Sequence, residues 1–288
     1  MKYETRPMTP EEAERIERRI DAYNDSVVPP VDGAEEEEIV LKITDGDGAI
    51  IAGCSAFVDR WNCMDLSMLW VDEAYRNRGL GTRLFSEILR AGSARGCRIA
   101  TVGLYDFQAS AFCEKRGMTV FDAAEDCPKG HAHYYLAIRL DPDAQEDAPI
   151  DPRYAIKRGD ANDSEFLLER FYAHSEAQVP PLRPYEALDR TVLNEAGDPI
   201  ACVEAGVNGW NVGYVFSLWV DEPYRNRGLG AELLRGAERG IRARGADRAF
   251  VSAFDLQADY FKKNGYAVTG VCADFPRGHS LLMLKKKL

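Results

Sequence analysis

Apolar and polar positions follow an order along this chain that occurs twice. Thr9-Pro10-Glu11-Glu12 sets a helix start, with a hydroxyl N-cap, a proline in the first turn and acids against the dipole. The pattern predicts a helix to about Tyr23, stopped by Val28-Pro29-Pro30. Short apolar runs then predict strands at Ile39 to Thr44, Ala49 to Val58 and Cys63 to Val71. Asp45-Gly46-Asp47-Gly48 and Trp61-Asn62 read as the connecting turns. The period then changes, with Leu80, Leu84 and Ile88 beside Phe85 and Leu89 at helical spacing. A strand at Arg98 to Leu104, a short helix at Gln108 to Lys115 and strands at Met118 to Ala123 and His133 to Leu140 complete the half. The second half replays this order: Val179-Pro180-Pro181, Gly197, Ile200, Trp210-Asn211 and Asp255-Leu256-Gln257-Ala258 each answer a first-half position.

The repeat is sharpest at Leu69 to Gly81, LWVDEAYRNRGLG, and Leu218 to Gly230, LWVDEPYRNRGLG, which differ only at Ala74 and Pro223. Two near-identical blocks half a chain apart mean a tandem duplication. Each block reads as the end of a buried strand, a polar turn and the start of a helix. A helix N-terminus presents free backbone N–H groups and the positive end of a dipole, and glycine lets a ligand approach that backbone. This is an anion site suited to a diphosphate. It is neither a P-loop, since Gly-Lys-Ser/Thr is missing, nor a Gly-x-Gly-x-x-Gly dinucleotide fingerprint.

Arg76-Asn77-Arg78-Gly79-Leu80-Gly81 and Arg225-Asn226-Arg227-Gly228-Leu229-Gly230 resemble the acetyl-CoA loop of the GNAT family of N-acetyltransferases, Arg/Gln-x-x-Gly-x-Gly/Ala. The resemblance covers most of both halves. It implies an α+β fold with two tandem GNAT-like domains, each a mixed, mostly antiparallel sheet flanked by helices. The expected domains are residues 1–140 and 153–288, joined by an acidic, proline-rich linker at 141–152. It also implies that acetyl-CoA is the acyl donor and that the loop amides hold its pyrophosphate. The implied cofactor positions are Arg76, Asn77, Arg78, Gly79, Leu80, Gly81 and Thr82, and in the second copy Arg225, Asn226, Arg227, Gly228, Leu229, Gly230 and Ala231. Val71 and Val220 would pair with the pantetheine arm. Asp106 and Asp255 stand where the family has an asparagine that touches it, and helix N-capping is their other reading.

Acyl transfer to an amine needs deprotonation of the ammonium, a donor for the oxyanion and a proton for the leaving thiolate. The family's acid is commonly a tyrosine four residues before a glycine. Cys113 occupies that slot in the first half, and burial as a small apolar residue is its alternative. The second half is one residue short there. Counting back from Gly265 puts Phe261 in the slot, counting forward from Ala258 puts Lys262, and Tyr260 is the favoured acid beside them. Carboxylates on the strands, Asp65 and Glu204, are candidate bases, with solvated strand positions as the alternative; Tyr214 stands where the second copy would have Asp65. His131 and His279, in Pro-x-Gly-His, read as turn residues.

Composition narrows the rest. The net charge of −11 falls wholly on residues 1–149, with 17 Lys+Arg against 28 Asp+Glu, while residues 150–288 carry 19 of each. Solubility explains the excess, and an acidic face that attracts cationic amines is the functional alternative. No basic patch with interleaved aromatics points to nucleic acid, and no apolar run is long enough to cross a bilayer. The charged N-terminus lacks a signal-peptide pattern, and seven scattered cysteines without metal spacing read as reduced thiols, so a cytoplasmic protein with no metal is expected. The expected function is acetyl transfer to a primary amine of a small molecule. An acetyl-CoA-binding regulatory or structural protein with inactive domains is the alternative, and protein N-acetylation a further one. The expected assembly is a monomer or homodimer, since two domains in one chain can mimic a dimer.

Overall fold

The computed structural model describes residues 5–140 and 153–288, so the expected linker at 141–152 lies outside the described residues. Strand β1 (Thr5–Pro7) and helix α1 (Pro10–Val27) come first. The Glu12 amide donates to the Thr9 hydroxyl, and the Glu12 carboxylate accepts from the Thr9 amide, a capping box that fixes the helix start. Strands β2 (Glu37–Thr44), β3 (Ile50–Val58) and β4 (Met64–Val71) follow, then helix α2 (Leu80–Ser93), strand β5 (Ile99–Tyr105), helix α3 (Ser110–Glu114) and strands β6 (Thr119–Glu125) and β7 (Ala132–Arg139). The second half gives β8 (Ile156–Arg158), α4 (Ala161–Gln178), β9 (Glu186–Ala187), β10 (Arg190–Leu193), β11 (Pro199–Val207) and β12 (Gly213–Val220). It ends with α5 (Leu229–Ala243), β13 (Arg248–Phe254), α6 (Asp255–Lys263), β14 (Ala267–Ala273) and β15 (Ser280–Lys287). Helix α3 is shorter than the pattern predicts because the Gln108 side chain turns back to accept from the Tyr105 amide at 2.8 Å.

Two mixed sheets result. The first runs β6-β7-β5-β4-β3-β2-β8, the second β1-β10-β11-β12-β13-β15-β14, with β9 beside β11. Every pairing is antiparallel except β4 with β5 and β12 with β13. The edges hold the departure from the sequence halves. Strand β1 joins the second sheet, with Thr5 opposite Val192, and β8 joins the first, with Arg158 opposite Leu41. Their helices follow them: α1 packs on β11, and α4 packs on β2, β3 and β4. Each half therefore lends its first strand and helix to the other half's sheet, and the packed units differ from residues 1–140 and 153–288. A three-residue edge strand binds through backbone groups, and both β2 and β10 offer such an edge, so side chains of the helix must choose. Leu167 does so for α4: a Cβ on Gly53 of β3 would stand 2.7 Å from its Cδ2.

Each sheet buries its other face under a glycine-started helix. Helix α2 turns in Leu80, Leu84, Phe85, Ile88 and Leu89, and α5 turns in Leu229, Leu233, Leu234 and Ile241. Full burial of such a side chain contributes roughly 1.5–3 kcal/mol, and Leu84→Ala would cost about 2–5 kcal/mol. The two sheets meet along β6 and β14. Gly270 permits the approach, since a Cβ there would lie 2.6 Å from the Phe121 carbonyl oxygen. Apolar clusters of Cys63, Ile99, Cys272 and Phe275, and of Tyr105, Trp210, Val212 and Phe250, fill this junction. Among the described residues no helix is long and apolar enough to cross a membrane.

Candidate active site

The repeated block becomes the same structure twice. Asn77 and Asn226 take positive φ at 60° and 61°, and Gly79 and Gly228 at 80° and 83°, a conformation that asparagine tolerates and glycine adopts freely. These glycines are the N-caps of α2 and α5, and neither helix has a side-chain cap. The amides after each glycine therefore stand at an open helix N-terminus. The arginines brace the turn. Arg76 Nε donates to the Val71 carbonyl at 3.1 Å and Arg225 Nε to the Val220 carbonyl at 2.9 Å. Arg78 and Arg227 donate to the carbonyls of Ala74 and Pro223 at 2.9 and 2.8 Å. Thr82 accepts a bond from Arg116, whose guanidinium lies over the Phe112 ring; Ala231 has no hydroxyl to do the same.

Beyond the loop, each parallel strand pair opens. Strands β4 and β5 pair only at Met64–Ala100 and Asp65–Thr101, and β12 and β13 only from Gly213 to Val215. A bulge follows at once, at Ser67 in the first sheet and Phe216 in the second, leaving one backbone residue outside each ladder. In the first sheet the opening is a cleft lined by residues of both strands. Leu66, Phe85 and Cys113 line it from the α2 side, and Phe171 of α4 lines it from the other.

Cys113 is 5% exposed, and burial pushes its thiol up to about 11. A thiol that weak gives its proton to a leaving thiolate only uphill. Phe112 and Tyr260 are structural counterparts: a Cβ on Gly81 would lie 3.6 Å from the Phe112 ring, and one on Gly230 2.6 Å from the Tyr260 hydroxyl. The count back from Gly265 is thus the one the fold follows, and Phe261 sits buried where the first half has Cys113. Burial raises the Tyr260 phenol, and that phenol reaches the second loop.

Asp65 is exposed to solvent on β4, while neighbouring protein crowds its carboxyl. Burial raises its carboxyl to about 6, against the Thr101 hydroxyl, which donates to it at 2.7 Å. Tyr214, its counterpart, spends its hydroxyl on Tyr105 at 3.0 Å, and Asn208 donates to the same Tyr105 oxygen at 2.7 Å. Glu204 accepts from Ser217 at 2.5 Å. Asp106 and Asp255 are held by the turns opposite them. Asp106 bonds His131 at 2.9 Å and accepts from the Ala132 amide at 3.0 Å; Asp255 bonds His279 and accepts from the Ser280 amide, both at 3.2 Å. Neither aspartate is the N-cap, which falls to Ala109 and Phe254. Among the described residues no cluster of His, Cys, Asp and Glu could hold a metal.

A model of the acetyltransferase (GNAT) family matches residues 3–118 and 160–266, one match in each half. The chain belongs to that family. It is similar to blasticidin-S acetyltransferase of Streptomyces morookaense, 30% identical over 112 residues, which covers 38% of this chain and 82% of that one. Among solved structures it is similar to an acetyltransferase from Bacillus cereus, with 31% identity, 47% and 96% of the two chains covered and a TM-score of 0.43. It is also similar to a PaiA N-acetyltransferase from Thermoplasma acidophilum in complex with coenzyme A, with 15% identity, 45% and 80% covered and a TM-score of 0.31. As a GNAT acetyltransferase, the chain is an enzyme that binds an acyl-CoA. Family reasoning alone passes over Gln108, Arg116, Phe171, His174 and Ser175. Gln108 had a signal, since Gln257 repeats it; the α4 residues had none, because their sheet lies in the other half.

Proposed function

We propose that this GNAT enzyme transfers an acetyl group from acetyl-CoA to the primary amine of a small molecule, and that the Gly79 loop serves the working site. The observation that carries this is the cleft between β4 and β5, lined by Ser67 and Cys113, on the strand that carries Asp65 and leads into the uncapped Gly79 loop. The pyrophosphate would lie on the amides of Leu80, Gly81 and Thr82, with Arg116 beside them. The thioester would reach the opening past Val71 and the bulge at Ser67, where a backbone N–H outside the ladder is a donor for the oxyanion. Asp65 takes the ammonium proton. The nitrogen lone pair then forms the C–N bond as the C–S bond breaks, coenzyme A leaves as a thiolate, and the second N–H proton passes to solvent. With a pKa of about 6, Asp65 is ionised at neutral pH and still basic enough for the task. Cys113 serves by leaving the cleft open.

At the Gly228 loop a second reading has support. Tyr214 replaces the base, and Phe261 fills the Cys113 position. Binding without turnover suits those residues, with Tyr260 as the one acid at hand. The acetyltransferase from Streptomyces morookaense makes blasticidin S the first acceptor to try.

Calorimetric titration with acetyl-CoA tests both statements, on the native chain and on Gly79→Glu and Gly228→Glu. Each substitution puts an anion at a left-handed position in open space. Thiol release with a panel of amines follows. Two binding sites, with release lost only in Gly79→Glu, is the expected result. Binding with no release from any small amine would refute the small-molecule transferase reading, and release lost only in Gly228→Glu would reverse the assignment.

A further inference from the structure

We propose that the two sites are crossed, so that the acceptor of each CoA loop is chosen by a helix from the other half of the sequence. The proposal rests on the acetyltransferase reading and extends it to the acceptor side. Helix α4 walls the cleft of the Gly79 loop through Phe171. Two further bonds tie it to that site. Gln108 Nε2 donates to Ser175 Oγ at 3.1 Å, and Arg76 Nη2 lies 3.5 Å from His174 Nδ1. Ser175 is buried.

The mirror arrangement holds at the Gly228 loop. Gln257 Nε2 donates to Asn24 Oδ1 of α1 at 3.2 Å, repeating the Gln108 contact. Arg225 of the loop lies over the rings of Tyr23 and Trp219 at 5.2 and 5.1 Å. Arg19 of α1 pairs with Asp221 at 2.7 Å, at the end of the loop-bearing strand. Both crossings are sealed after the helix, where Trp61 Nε1 donates to the Val28 carbonyl and Trp210 Nε1 to the Val179 carbonyl, at 2.7 and 2.8 Å.

The chemistry of the first site follows from the face that α4 covers. The bulge at Ser67 shifts the alternation of β4, so Asp65, Met68 and Trp70 share the side on which α4 lies, and Met68 packs with Leu167. An acceptor there meets a carboxylate at one end and the Phe171 ring along its body. That selects an amine carrying an apolar or aromatic body over a short polar amine.

Amide hydrogen exchange with acetyl-CoA, run on the two single-site proteins, tests the crossing. In Gly228→Glu, acetyl-CoA should slow exchange in 161–178 and not in 10–27. In Gly79→Glu it should slow 10–27 and not 161–178. Protection of the helix from the loop's own half overturns the proposal. Failure of acetyl-CoA to bind either protein, seen by calorimetry, refutes the underlying reading instead and removes the proposal with it. For the acceptor side, Phe171→Ala in Gly228→Glu should raise the KM for an aromatic amine roughly tenfold. The KM for acetyl-CoA should stay, and Phe171→Tyr should restore the acceptor. A KM that moves with Tyr23→Ala and not with Phe171→Ala in that protein would refute it.

Discussion

Lys285→Met should unfold this enzyme more readily than any conservative surface change, because it strands a charge at the junction of the two sheets. Lys285 Nζ lies 2.7 Å from Asp122 Oδ2 and donates to the Ala123 carbonyl at 2.6 Å. The side chains are 14% and 1% exposed. At an effective dielectric of about 20, charges at this distance attract by roughly 6 kcal/mol, and desolvation of both ions offsets most of it. The pair is therefore close to neutral as a whole, while loss of one partner costs about 3–5 kcal/mol. Methionine keeps an apolar stem of similar length and removes the ammonium, which also lies over the Phe250 ring. The expected loss corresponds to a fall in Tm of about 10 °C. Asp122→Asn should cost less, since the partly exposed lysine can turn to water. The double variant Asp122→Asn/Lys285→Met should recover much of the loss. Urea melts at pH 8 measure this. A loss below about 1 kcal/mol at pH 8, or a double variant no better than the single one, would refute the reasoning.

Substitutions at three other positions have expected outcomes as well. Asp65, raised to about 6 by burial, destabilises the fold above pH 6 and not below about 4, so Asp65→Asn should raise the melting temperature at pH 7.5 and leave it unchanged at pH 4. The same variant should lose the limb of the kcat/KM profile near pH 6, and a profile identical to the native one would exclude Asp65 as the base. Gly230→Ala should weaken acetyl-CoA at the Gly228 loop, because its Cβ would stand 2.6 Å from the Tyr260 hydroxyl; Tyr260→Phe should relieve this in calorimetry, and no relief would place the strain elsewhere. Gly53→Ala should unseat Leu167 and α4, raising the acceptor KM at the Gly79 site while the second site keeps its acetyl-CoA affinity; equal effects on both sites would argue against α4 as the wall.

What the sequence makes legible here is local. The loop is a run of residues whose backbone needs are written in their types: asparagine and glycine at positive φ, then a helix whose apolar spacing marks one buried face. The strand order follows from the periods for the same reason. The partner of an edge strand is not local information. Three residues of β1 or β8 bond through backbone groups that every residue type carries, so nothing in Thr5–Pro7 names β10 over β2. Helix α4 hides its seat as well, since only Leu167 and Ser175 are buried on it and most of its apolar residues face outward. The counterpart of Cys113 was ambiguous in the sequence because one residue is missing between Ala258 and Gly265. It is settled by which ring lies against Gly81 and Gly230.

The contact of Gly270 with Asp122 carries a consequence for how such a chain diverges. The two positions correspond in the repeat, 148 residues apart, and they face each other across the junction. In an assembly of two identical polypeptides, a residue on the twofold axis always meets its own copy, so an acid there would confront an acid. Joining the copies in one polypeptide lifts that restriction. One copy holds aspartate, the other yields space with glycine, and Lys285 supplies the counter-charge where the first copy has Ala137. Such a fused pair can specialise one reaction chamber while the other keeps its inherited shape, a freedom closed to two identical subunits.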